Sequence, residues 1–67
     1  MRSEFSRRLR KLRSRKNVSL QVLADFCGVN KSTVIRYERG ERIPNLETAA
    51  LLAEFFGVTI DYLYGRK

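Results

Sequence analysis

The spacing of its apolar residues restricts this chain more than any other feature. They return every three or four positions and do not alternate. Phe5, Leu9 and Leu12 fall at i, i+4 and i+7, and Leu20, Leu23, Ala24 and Cys27 at i, i+3, i+4 and i+7. Both patterns gather the apolar side chains on one stripe of a helix. Leu46, Ala49, Leu52, Ala53 and Phe56 make a further core stripe of the same kind. No four-residue run alternates convincingly as a half-buried strand would, and turn pairs such as Asn-Gly are missing. The expected fold is all-α: a compact set of five short helices with tight connections.

The boundaries are set by residues with defined backbone habits. KNVS, residues 16–19, interrupts the first stripe, and the Ser19 hydroxyl can cap the second helix. Gly28 ends that helix, where a left-handed residue costs glycine least. Only Val29 separates Gly28 from Asn30, a capping residue for a third helix that Gly40 closes. Pro44 is excluded from a helix interior, so ERIPN is a loop and Asn45 caps residues 46–56. Gly57 ends the fourth helix, and Thr59 can cap a last short one, IDYLY.

Size and composition narrow the possible chemistry. A chain of 67 residues is one domain, 1–67, without linker or internal repeat, and such a domain buries only about 60% of its unfolded surface. Cys27 is the only cysteine and there is no histidine, which excludes a disulfide and the common Cys/His zinc sites. Cys27 reads as a small buried residue, and Gly28, with no glycines around it, as a turn rather than a phosphate loop. Carboxylates stand singly, so general acid–base chemistry has no site; no enzyme, cofactor or metal is expected. The missing disulfide framework suits a reducing compartment, hence the cytoplasm. No run approaches the roughly 20 apolar residues of a membrane span, and the basic start lacks the uninterrupted apolar region of a signal peptide.

The net charge of +7 is unevenly placed: residues 1–16 carry eight Lys/Arg against Glu4, whereas residues 43–64 carry only Glu47, Glu54 and Asp61. A polyanionic partner follows, nucleic acid ahead of a membrane surface, with solubility alone as the plainer reading. The third helix sharpens the choice. At helical spacing Val34, Tyr37 and Glu38 share one face, while Lys31, Ser32, Ile35, Arg36 and Arg39 share the other. Two helices joined by a short turn around a glycine, the second with a polar face, form the helix-turn-helix pattern, here residues 20–39.

The segments KLRSRKNVSLQVLADFCGV, NKSTVIRYERGERIPNLET and LLAEFFGVTIDYL carry a resemblance that covers nearly the whole chain. Their helices, in that order, resemble the lambdoid phage repressor/Cro family of XRE-type helix-turn-helix proteins. The resemblance implies a lambda-repressor-like domain that binds double-stranded DNA as a bacterial or phage transcriptional regulator, a repressor, on the nucleoid. Its third helix would enter the major groove, with Asn30, Lys31, Ser32, Ile35 and Arg36 as base readers. Lys31 and Arg36 suit guanine and Ile35 a thymine methyl; Ile35 as a singly exposed apolar residue is the other reading. Phosphate contacts would come from Ser19, Gln21, Thr33, Arg39 and Arg42. Relatives often place a glutamine at the first position of the second helix; Leu20 stands there, so Gln21 or Ser19 takes that role. The basic run of the first helix is partly a solvated face.

Arg13 continues the apolar stripe of the first helix and Glu38 that of the third. Spacing allows two separately solvated charges; the resemblance implies a structural Arg13–Glu38 ion pair. Leu51 and Phe55 are apolar beyond what the fourth-helix stripe needs. With Ile60, Tyr62 and Tyr64 they suggest a homodimer interface on a palindromic operator, a wide core stripe being the alternative. The resemblance fits either a complete small protein or the N-terminal domain of a longer one, and leaves any protein anti-repressor unidentified. The rival functions are an interaction module of the same fold, such as the antitoxin of a toxin–antitoxin pair, and a membrane-surface helix. The latter would need Phe5, Leu9 and Leu12, which the core requires.

Overall fold

The computed structural model describes residues 4–66; residues 1–3 and 67, counted in the expected single domain, lie outside them. Five helices follow in order: α1 Glu4–Arg15, α2 Leu20–Cys27, α3 Lys31–Arg39, α4 Leu46–Phe56 and α5 Ile60–Leu63. Among the described residues there is no strand, and no helix is long and apolar enough to cross a membrane.

The helix ends follow from capping chemistry. Ser19 Oγ, Asn45 Oδ1 and Thr59 Oγ1 accept from the backbone N–H of Val22, Thr48 and Tyr62 at 3.1, 2.8 and 3.0 Å. Each satisfies a donor that the first helical turn leaves without an internal partner. Gly28 sits at φ +71°, so its N–H and that of Val29 turn back to the Asp25 and Ala24 carbonyls. A side chain there would be strained, which is why the tight helix-turn-helix corner falls on glycine. Asn17, at φ +54°, closes the α1 corner in the same left-handed region, which asparagine tolerates better than most residues.

Phe5 and Leu9 of α1, Leu23 of α2, Val34 of α3, Leu52 of α4 and Leu63 of α5 meet in one fully buried centre. α1 packs on α3 and α5, α2 on α3 and α4, and α4 on α5. No pair of helices could bury its own stripe, so all five elements are needed to hold α2 and α3 in place. The Tyr64 ring stacks on Phe5 with centroids 5.0 Å apart and fastens the end of the chain to α1.

One expected core residue is outside it. Leu46 is 73% exposed. It is the first residue of α4, and helical side chains tilt toward the N-terminus, so Leu46 projects past the end of the core rather than over it. Its stripe is filled instead by Ala49, Leu52, Ala53 and Phe56, with Thr48 also buried beside them. Val22 and Phe26 on α2 are exposed as well.

Candidate nucleic-acid interface

α3 has two different sides. Val34, Tyr37 and Glu38 are buried; Lys31, Ser32, Arg36 and Arg39 are exposed, and Thr33 and Ile35 are half-buried at the margins. Asn30 occupies the N-cap position with extended backbone, but its side chain makes no capping hydrogen bond, unlike Ser19, Asn45 and Thr59. Its exposed amide therefore remains available, as donor and acceptor, at the tip of α3. The structure brings Asn30, Lys31, Ser32, Ile35 and Arg36 onto one end and side of a single helix.

The buried side of α3 is held by charge as well as by packing. Arg13 reaches from α1 and donates through Nε and Nη2 to the two Glu38 oxygens, the second at 3.1 Å. Its Nη1 donates to the Val18 carbonyl at 3.1 Å, so the same guanidinium also ties down the loop before α2. The Glu38 side chain is 8% exposed and that of Arg13 23%. Hydrogen bonding to Glu38 raises the Arg13 pKa above its ordinary value, against the opposing effect of burial. The fork of a guanidinium is the cation that can meet both carboxylate oxygens at once. This cross-brace sets the direction of α3 and, through Val18, the start of α2. The Val18 contact has no signal in the sequence.

The expected phosphate contacts separate into free and engaged groups. Ser19 Oγ accepts from Val22 N–H and keeps its own proton to donate. It lies at the N-terminus of α2, where Leu20 and Gln21 N–H groups have no intrahelical acceptor. Gln21 Nε2 donates to Asp25 Oδ1 at 2.9 Å, which turns that amide along the helix and leaves it one N–H. Arg39 Nη1 stands 3.9 Å from Glu41 Oε2, both side chains more than half exposed. Such a pair contributes little in water, so the Arg39 charge is available to another anion. Arg42 is exposed in the α3–α4 loop, close enough to lower the Tyr37 hydroxyl pKa against the larger upward effect of burial. An open recess of about 500 Å³ lies between the turn, α3 and this loop, lined among others by Asn30, Thr33, Tyr37 and Arg42. Ile43, exposed beside Arg42, also lines this recess and was not singled out in the sequence.

The basic run of α1 divides in two. Arg7 and Arg8 bond to Glu4 at 2.9 and 3.2 Å, and Arg8 also donates to the Tyr62 carbonyl and lies over the Tyr62 ring, 4.5 Å from its centroid. These two hold α1 to itself and to α5. Arg10, Lys11, Arg15 and Lys16 are exposed. The five residues expected to share one self-association patch fall in three surroundings. Phe55 turns to Phe26 of α2 at 5.0 Å with Leu51 one turn before it, Tyr62 lies under Arg8, and Ile60 and Tyr64 line a groove with Leu46, Ala49, Asp61 and Arg66. Leu51 and Phe55 occupy the flank of α4 away from that groove.

Taken together, α3, the N-terminus of α2 and the α3–α4 loop form a cationic and hydrogen-bonding surface suited to a polyanion. A helix-turn-helix family profile matches residues 9–63. The HTH-type transcriptional regulator AnsR of Bacillus subtilis is 52% identical over 60 residues, covering 90% of this chain and 52% of its own. The cryptic phage CTXphi transcriptional repressor RstR of Vibrio cholerae is 41% identical over 56 residues, covering 84% of this chain and 50% of its own. The chain thus spans about half the length of these curated relatives. Among solved structures, the P22 c2 repressor in complex with a synthetic operator superposes with a TM-score of 0.88 at 25% identity, covering 94% of this chain and 96% of that one. The restriction-modification controller protein C.AhdI from Aeromonas hydrophila gives a TM-score of 0.82 at 34% identity, covering 91% and 92%. The chain belongs to the XRE-type helix-turn-helix family.

Proposed function

We propose that this chain is a sequence-specific double-stranded DNA-binding domain of a cytoplasmic transcriptional regulator, a repressor, with α3 laid in the major groove. The observation that carries the reading is α3 itself. Its buried side is braced by Glu38, and its exposed side presents Lys31, Ser32, Arg36 and the uncommitted Asn30 amide. The second helix of this motif meets base edges with its N-terminal residues. Arg36 donates to guanine O6 and N7, Lys31 does so as a single point of charge, and Asn30 pairs with adenine N6 and N7. Ile35 rests on a thymine methyl. Arg39, Arg42, Thr33, Ser19 and the N-terminus of α2 hold phosphates and so fix register without reading sequence. The relatives named as a transcriptional regulator and a repressor, and the neighbour solved on its operator, support this over an antitoxin-type module.

The same reading includes a homodimer on a palindromic operator. The groove lined by Leu46, Ala49, Ile60, Asp61, Tyr64 and Arg66 supports it. Its floor is apolar and its rim carries one acid and one base, a pairing that can be self-complementary across a two-fold axis.

Two substitutions test the DNA reading by anisotropy titration on selected and scrambled duplexes. Arg36→Ala is expected to cost roughly 1–3 kcal/mol on the selected site and to relax preference at one base pair. Arg39→Ala should weaken all duplexes alike and reduce the log–log salt slope by about one phosphate contact. Equal losses on both duplexes for both variants would remove α3 as the reader of bases.

A further inference from the structure

The face shared by α2 and α4 plays no part in the DNA reading. Val22 is 52% exposed and Phe26, one turn further along α2, 44%. The Phe26 ring meets Phe55 of α4 at 5.0 Å, and Leu51 lies one turn before Phe55, both half-buried. Four large apolar side chains therefore form one strip across two helices. Scattered apolar residues on a surface are ordinary; a contiguous strip with polar edges marks an interaction site.

The charges beside the strip have one sign. α2 and α4 together contain Asp25, Glu47 and Glu54, all exposed, and no Lys or Arg, in a chain whose net charge is +7. Among the described residues the cations lie on α1, at Lys16 in the turn after it, on α3, in the α3–α4 loop and at Arg66. Acids of this kind repel phosphate, so the strip does not extend the DNA surface. Two copies joined strip to strip would set acids against acids, which opposes association. Nor does α1 of a second copy fit: it brings cations, but Phe5 and Leu9 are buried and it has no apolar ridge to offer.

We infer that the α2–α4 strip docks another protein through a helix carrying an apolar ridge bordered by Lys and Arg. The ridge covers Val22 and Phe26, and the borders meet Asp25, Glu47 and Glu54. Phe26, an aromatic ring half out of the surface and backed by Phe55, is the anchor of the contact. The surface is independent of DNA, so its test is run without DNA.

Isotope-labelled protein is titrated with a helical peptide that has Leu and Phe along one face and Lys and Arg along both borders of that face. Amide shifts are expected to centre on Val22, Asp25, Phe26, Leu51 and Phe55. Phe26→Ser and the double substitution Asp25→Asn/Glu54→Gln should each weaken binding about tenfold, and the same peptide with Glu at its borders should not bind. Away from the strip both variants keep the amide spectrum of the parent, which reports an intact fold. The inference fails if the basic peptide does not bind, if neither variant weakens it, or if the shifts centre on the Leu46–Ile60 groove.

Discussion

Glu38 shows how one side chain can direct a binding surface it does not belong to. Its carboxylate lies within the core side of α3, where an unpaired charge is strongly unfavourable, and Arg13 supplies two parallel N–H donors. Glu38→Gln keeps the shape but leaves the Arg13 cation half-buried without its counter-charge. That is expected to cost about 3 kcal/mol, a large part of the stability of so small a domain. Glu54→Gln, on the exposed side of α4, should stay within about 0.5 kcal/mol. Thermal melts of the two variants give the comparison, and equal shifts would mean that the Glu38 carboxylate is solvated. Cys27 illustrates the opposite case, a titratable group that carries no charge and directs nothing. Burial alone raises its thiol pKa, so it stays neutral and fills space beside the turn.

Each helix has its own start, and the starts differ in what they leave unused. Asn45 gives its side chain to the Thr48 N–H, whereas Asn30, in the same N-cap position of α3, gives its side chain to no backbone group. The two asparagines should therefore respond differently to truncation. Asn45→Ala loses a cap and should lower stability by about 1 kcal/mol with no specific effect on DNA. Asn30→Ala is expected to cost less stability, because the amide caps nothing, and to lose affinity for the selected site if the amide pairs with a base as proposed. Chemical denaturation and anisotropy on the same pair of variants check both halves. A stability loss at Asn30 as large as at Asn45, with DNA affinity unchanged, would return Asn30 to the role of an ordinary cap.

On the scale of the whole molecule, charge and apolar surface are sorted by element. The exposed cations on α3 and the loop, with the N-terminus of α2, define one side. The Leu46–Ile60 groove is a second surface and the acidic α2–α4 strip a third. A single motif covers few base pairs. In the dimer proposed above, two copies reading half-sites about 34–36 Å apart would gain specificity by joining through the groove. Leu46→Glu places a charge at a residue that the core does not use, so folding should be unaffected. Cooperative occupancy of a full palindrome should be lost and binding to one half-site retained. Sedimentation at high concentration together with full-site titrations checks this, and independent binding of two copies by the parent protein would rule out the groove as the contact.

Much of this is legible without the tertiary structure, for local reasons. Helix positions follow from apolar spacing, and their ends from Ser19, Gly28, Gly40, Asn45, Gly57 and Thr59, because capping and left-handed turns depend on residues a few positions apart. The polar side of α3 is legible too, since a nine-residue helix has to divide its side chains between core and water. What depended on tertiary structure was every question of which neighbour a side chain meets. Leu46 has the spacing of a core residue but lies beyond the end of the core, and Phe55 turns to Phe26 rather than to Ile60. Asn30 is left free where capping chemistry alone would have used it, whereas the Gln21–Asp25 bond, four residues apart on α2, is a local one. Periodicity places a side chain on a face of its own helix; only the packing of the other helices decides whether that face is covered, by what, and which polar groups remain for a ligand.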